Sequence, residues 1–214
     1  MDAAAAGRWV DLVAARLKLE RDHLTQLDAA IGDADHGVNM DRGFSAVLGR
    51  VAALEQPTPG ELLVEVGRTI VQVVGGASGP LYGSAFIDLG QALGDETEVG
   101  PERLLDALQA GLAAIQRRGA ATEDDKTMVD AYAPALAAFE AKLRAGGSLQ
   151  TATEAAAAAA ADGMRATVPL QARKGRASYL GPRSVGHQDP GATSTALIFA
   201  ALAEASAGAA GEPG

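Results

Sequence analysis

Apolar residues recur at helical spacing along most of the chain, in runs broken by short turns rich in glycine and proline. Val10, Val13, Leu17, Leu24 and Leu27 keep one face through a first predicted helix ending near Asp28. Phe44, Val47, Leu48 and Val51 mark a second. Thr58-Pro59-Gly60-Glu61 spells a capping box with proline at the first helical position, and the third helix follows through Leu62, Val66, Ile70 and Val73. Pro80 opens a fourth through Tyr82, Phe86, Leu89 and Leu93, and Pro101 a fifth through Leu104, Leu108, Leu112 and Ile115. The sixth carries Met128, Tyr132, Leu136, Phe139 and Leu143, with Pro134 a candidate kink. Gly146-Gly147-Ser148 caps an alanine-rich seventh ending near Thr167, and an eighth begins at Gly191 after an irregular stretch from Pro169 to Pro190.

Eight helices and no convincing strand predict an all-α, single-domain antiparallel eight-helix bundle or barrel over residues 1–208, with 209–214 a flexible tail. Aromatic residues make up only 4% while alanine abounds, which favours close-packed helices over a β-sandwich. The net charge of −9 argues against nucleic acid or an anionic membrane as partner. The absence of cysteine excludes disulfides, thiol catalysis and cysteine-ligated zinc. No segment approaches the ~20 apolar residues that span a bilayer, and the amino terminus lacks a signal-peptide pattern, so a cytoplasmic protein is expected.

The breaks between helices carry the chemistry. In the first, Asp28 precedes Gly32-Asp33-Ala34-Asp35-His36-Gly37-Val38-Asn39. Three carboxylates on one tight turn repel one another unless a cation neutralises them, and an all-oxygen set suits Mg²⁺ or Ca²⁺. Gly32 and Gly37 are expected to supply unusual backbone angles. An EF-hand starting at Asp33 fails, because its sixth position would be Val38 and its twelfth Phe44. Capping aspartates on a solvated helix end are the plainer reading of the same residues.

The second break, Gly75-Gly76-Ala77-Ser78-Gly79-Pro80, leads into a helix start whose free amides suit an anion, or packs helices closely through small side chains. The third, Asp124-Asp125-Lys126-Thr127-Met128-Val129-Asp130, reads by itself as solvated surface. The fourth runs from Leu170 to Gln188 with Arg173, Lys174, Arg176 and Arg183 and no acidic residue, a local positive charge that points to a bound polyphosphate. Asp189-Pro190 then resembles an N-cap followed by proline. His36 and His187 fall in these breaks, whereas His23 is expected to pack inside the first helix. Metal-binding carboxylates, amide-rich turns and cations are the parts of a phosphoryl-transfer site, and no Ser/His/Asp nucleophile is evident.

Taken in order, Leu27 to Gly43, Gly75 to Gly83, Asp125 to Ala131 and Lys174 to Ser194 resemble the nucleotide-binding L subunit of bacterial dihydroxyacetone kinase, the DhaL family. The resemblance implies an eight-helix barrel with the nucleotide at one end, and two Mg²⁺ ions held by Asp28, Asp33 and Asp35. It assigns His36, Gly37, Val38, Asn39, Ala77 and Ser78 to an ADP or ATP ligand, with Gly119, Met128, Arg176, Asp189, Pro190 and Gly191 completing the pocket. Asp124 stands where the family pattern has glycine before Asp-Lys-Thr-Met, a departure that predicts a reshaped turn beside Gly119 and Met128.

The resemblance also implies two partners. One is a K subunit that holds dihydroxyacetone, and the other a phosphohistidine-bearing subunit of the phosphoenolpyruvate-dependent phosphotransferase system, which recharges bound ADP. The chain has the length of a separate L subunit with no K domain attached, which would supply half an active site. Two other readings remain open at this stage: an ATP-exchanging kinase subunit for another small ketose or polyol, and a nucleotide-sensing regulator that binds a transcription factor.

Overall fold

The structure is a computed structural model that describes residues 1–208. It is all-helical, with nine α-helices and one 3₁₀ helix among the described residues and no strand. The order is α1 (Ala3–Leu19), α2 (Arg21–Ile31), α3 (His36–Val51), α4 (Pro59–Val73), α5 (Ser78–Leu93), α6 (Pro101–Gly119), α7 (Val129–Arg144), α8 (Leu149–Ala166), the 3₁₀ helix (Arg176–Ser184) and α9 (Pro190–Gly208). The predicted tail 209–214 lies outside the described residues.

Several starts follow directly from the sequence. Thr58 accepts from Glu61 N while the Glu61 carboxylate accepts from Thr58 N, so the predicted capping box closes. Ser148 caps α8, and Pro134 is carried inside α7. Two expectations fail. The predicted first helix is two helices, α1 and α2, divided at Glu20, where ψ turns to 8°. Leu17 and Leu24 are both fully buried on either side of that break, so the apolar spacing runs through it without a glycine or proline to mark it. The helix count of eight is corrected to nine. His36 to Asn39, read as loop, form the first turn of α3.

Helices α4 and α5 pack antiparallel and close, because glycines face each other at two levels, Gly60 against Gly90 and Gly94, and Gly67 against Gly83. A Cβ at Gly60 would lie 2.3 Å from the Gly94 carbonyl, one at Gly67 would lie 2.5 Å from the Gly83 carbonyl, and one at Gly90 2.5 Å from the Gly60 carbonyl. The core gathers Trp9, Phe44, Phe86, Tyr132, Phe139 and Phe199 with leucine and valine from every α-helix except α8, which contributes alanine. Trp9 donates its indole N–H to the Ile198 carbonyl at 3.0 Å, and Phe199 meets Tyr132 edge-on at 4.9 Å. Antiparallel succession has one consequence for function. The α2–α3, α4–α5, α6–α7 and α8–α9 connections all open on one cleft, whereas the α3–α4 and α5–α6 connections line a separate groove.

Candidate functional site

The cleft has a cavity volume of about 240 Å³ and is lined by residues of all four connections. Asp28, Asp33 and Asp35 offer carboxylate oxygens within 4.8 Å of one another. Asp28 is buried at the end of α2, and its Oδ2 accepts from the backbone N–H groups of Asp35 (2.8 Å) and His36 (3.1 Å). Those bonds draw the turn back over α2 and hold the deepest carboxylate still.

The glycines act by size. Gly32 is needed because a Cβ there would sit 2.0 Å from Asp28 Oδ1, and Gly37 because one would sit 2.0 Å from the Arg21 carbonyl. The left-handed residue of the turn is Ala34, at φ 63°. The expectation that Gly32 and Gly37 supply unusual angles is therefore corrected to close approach.

Opposite this turn, Gly75, Gly76, Ala77 and Ser78 bring the start of α5 to the cleft, with Gly76 at φ 65°. The close-packing reading of this stretch holds at Gly79 and Gly83, which pack against Val74 and α4, while the residues before them line the cleft. Asp189, Pro190 and Gly191 bring the start of α9 alongside, and Asp189 Oδ2 caps it by accepting from Ala192 N at 2.7 Å. Burial pushes the Asp189 carboxyl up to about 7. Burial likewise lowers the His36 imidazole, against the opposing pull of Asp28 and Asp35.

The Asp124–Asp130 turn, expected to be solvated surface, is built inward. Lys126 is 1% exposed, and its ammonium donates to the carbonyls of Thr167, Leu170 and His187. It thereby fastens the end of α8 and the approach to α9 to the cleft wall. Desolvation lowers its pKa, against the weaker opposing pull of Asp189 and Asp130. Asp130 accepts from Asp124 N (2.6 Å) and Thr127 N (2.7 Å), and Asp125 from Thr122 N (2.9 Å). Asp124 sits at φ 68°, a left-handed conformation that aspartate tolerates, so the turn reaches a glycine-type geometry without glycine.

Of the site residues taken from sequence, Asp28, Asp33, Asp35, His36, Ala77, Ser78, Gly119, Met128, Arg176, Asp189, Pro190 and Gly191 line the cleft together. Gly37, Val38 and Asn39 do not. Gly37 is packed against α2, Val38 is half exposed, and Asn39 is buried with its amide oxygen accepting from Arg42. Arg176 reaches Asp33 at 3.0 Å, and Lys174 stands nearby on the rim. Arg173 and Arg183 lie off the cleft, as do exposed His187 and His23, the latter on the surface of α2 and not packed inside it. Sequence reasoning missed the apolar wall formed by Leu81, Ile115 and Ala121 beside Met128, which the helical pattern assigns to core. It also missed Lys126, which no local signal separates from surface lysines.

The cleft can hold a divalent cation against one wall and a polyanion between two helix starts, with an apolar slot beside them. Such a helical domain is recognised by a family model described as the DAK2 domain, which matches residues 30–204. The ADP-binding subunit DhaL of the PEP-dependent dihydroxyacetone kinase of Escherichia coli (strain K12) is 42% identical over 195 residues, covering 91% of this chain and 93% of that protein. The ADP-binding subunit DhaL of PEP-dependent dihydroxyacetone kinase 1 of Listeria innocua is 40% identical over 195 residues, 91% and 92% of the two chains. The crystal structure of the Citrobacter freundii dihydroxyacetone kinase with AMP-PNP and Mg²⁺ superposes with a TM-score of 0.71 at 31% identity. That match covers 95% of this chain and 34% of the larger kinase. The chain belongs to the DAK2-domain family, among the DhaL ADP-binding subunits of dihydroxyacetone kinases.

Proposed function

We propose that this chain is the ADP- and ATP-binding phosphotransfer subunit of a PEP-dependent dihydroxyacetone kinase, active in the cytoplasm with partner subunits. The observation that carries the reading is the convergence of three carboxylates, two helix starts and the Lys126-braced turn on one cleft. Residues 1–208 act as one domain, in which α1 and α3 to α9 supply the eight-helix barrel, α1 packing between α9 and α3, and the cleft lies at one end.

The donor set fits magnesium. Asp28, Asp33 and Asp35 offer only oxygen, and three carboxylates that close need compensating charge. Together they have enough oxygens to share two ions with nucleotide phosphates. Bound magnesium would neutralise charge between the carboxylates and the phosphates and favour transfer of the terminal phosphoryl group. Gly75 to Ser78 and Asp189 to Gly191 would cradle phosphate through backbone N–H groups, with Arg176 adding a cation. The wall of Leu81, Ile115, Ala121 and Met128 suits a nucleobase and keeps water from it. His36 holds Ser78, while Gly119 closes the slot near Leu81. Val38 and Asn39 flank the carboxylate turn within the first turn of α3.

The acceptor hydroxyl comes from a substrate held on a dihydroxyacetone-binding K subunit, and a phosphohistidine of a phosphotransferase-system subunit recharges the bound ADP. The test is reconstitution. The chain alone with Mg·ATP and dihydroxyacetone should form no dihydroxyacetone phosphate, and addition of a K subunit should restore product. Sugar phosphorylation by the isolated chain would overturn the reading.

A further inference from the structure

The segment from Leu170 to Gln188 carries four basic residues and no acidic one, in a chain of net charge −9. Only part of that charge serves the cleft. Lys174 and Arg176 line its rim, whereas Arg173 and Arg183 are exposed and lie off it. Between those two in sequence stands Tyr179, 88% exposed, while Tyr82 and Tyr132 are both buried in the core.

The exposure of Tyr179 does not come from a loose segment. Ser184 Oγ accepts from Ala172 N at 2.9 Å and donates to the Gly181 carbonyl at 2.7 Å. Gly186 N donates to the Val168 carbonyl at 2.8 Å, and Arg173 N to the Asp125 carbonyl at 3.0 Å. Lys126 ties down both ends, through the Thr167 and Leu170 carbonyls at one and the His187 carbonyl at the other. Ala172 and Ala177 bury against Ile31 with Leu180 packed on them, so the 3₁₀ helix has an apolar side of its own and leaves Tyr179 outside it. A tyrosine held in this way offers a large contact area and loses little rotamer entropy on binding, which suits it to anchor a protein partner.

Charge decides between the two partners of the proposed function, on which this inference rests. Dihydroxyacetone is neutral, and its approach needs no cation. A phosphohistidine is anionic and must come up to a cleft that already holds three carboxylates, on an acidic chain. Like charge opposes that encounter, and a basic rim reverses the local field. The basic segment lies where the compensation is needed, since its Arg176 reaches Asp33 of the carboxylate turn.

We propose that the outward face of segment 170–188 is the docking surface for the phosphohistidine-bearing subunit. Tyr179 anchors that subunit, and Arg173 and Arg183 draw in its phosphorylated face.

The test follows association of the full chain, loaded with Mg·ADP, with the purified phosphohistidine subunit of a PEP-dependent dihydroxyacetone kinase. Rates are measured by stopped-flow fluorescence at about 0.05 and 0.3 M salt. Arg173→Glu combined with Arg183→Glu should slow association with the phosphorylated subunit about tenfold at low salt and remove most of its salt dependence. Tyr179→Ala should speed dissociation about tenfold and leave association within about twofold. Association with a K subunit should change by less than about threefold in every variant. Urea midpoints and Mg·ADP affinity should be unchanged, because all three side chains are exposed and off the cleft. Equal losses toward the K subunit, or a loss of Mg·ADP affinity, overturn the assignment. An ADP-loaded chain that ignores the phosphohistidine subunit, or whose variants bind it like the unsubstituted protein, overturns the docking surface alone. A chain that takes up no ADP sinks the nucleotide reading and this inference with it.

Discussion

Two acidic turns border the same cleft and end in opposite electrostatic states. Asp124, Asp125 and Asp130 flank Lys126 in sequence, and the turn's own N–H groups occupy the oxygens of Asp125 and Asp130. Asp28, Asp33 and Asp35 have no lysine among them, and only Asp28 is bonded to turn amides. Asp33 has Arg176, itself largely exposed. Similar composition therefore yields a finished structural clamp in one place and an unfinished ligand set in the other. What separates the two is whether the neutralising charge is encoded in the turn or must arrive from outside.

The sharpest way to break this contrast is to exchange the roles. Lys126→Met leaves the Thr167, Leu170 and His187 carbonyls and a buried carboxylate without their cation. It should cost about 3–5 kcal/mol of stability, read as a lowered urea midpoint. Asp33→Ala should leave the ligand-free midpoint unchanged or raised, because it relieves like-charge repulsion. It should instead abolish the stabilisation by Mg·ADP, about 2.7 kcal/mol for the unsubstituted protein at a hundredfold excess over Kd. Equal destabilisation of the two ligand-free variants would erase the distinction.

A smaller effect is expected at Asp189, between the two turns. Its folded pKa of about 7 stands above the 3.8 of the unfolded chain, so the folded protein retains a proton that the unfolded chain releases. Ligand-free stability should therefore be full below about pH 4 as far as this group is concerned, and fall as pH rises toward and through 7. Asp189→Asn should flatten that slope, measured as the difference in Tm between pH 5.5 and pH 8 (about the two sides of the titration). The smallest change is Asp124→Gly, which relieves a left-handed aspartate at φ 68° and should stabilise by at most about 1 kcal/mol.

Much of the fold was legible because its cues are local. The Thr58 capping box, the Ser148 cap, the proline-led starts of α4 and α6 and the Asp189 cap all depend on residues within one turn. The break at Glu20 was not legible, because buried Leu17 and Leu24 keep helical spacing across it. The carboxylates and the start of α5 could be read as site residues because their types leave few other uses. The size constraint on Gly32 and Gly37 depends on how α2 folds against the turn, and the burial of Lys126 on carbonyls more than forty residues later, so neither leaves a mark nearby.

The central claim is that the cleft holds ADP with magnesium. It is tested most directly by denaturing the purified, extensively dialysed protein and measuring released nucleotide and metal. The account predicts stoichiometric ADP and magnesium that survive dialysis and are lost in Asp33→Ala. A protein that releases neither, and that takes up neither Mg·ADP nor Mg·ATP when they are supplied, would contradict it.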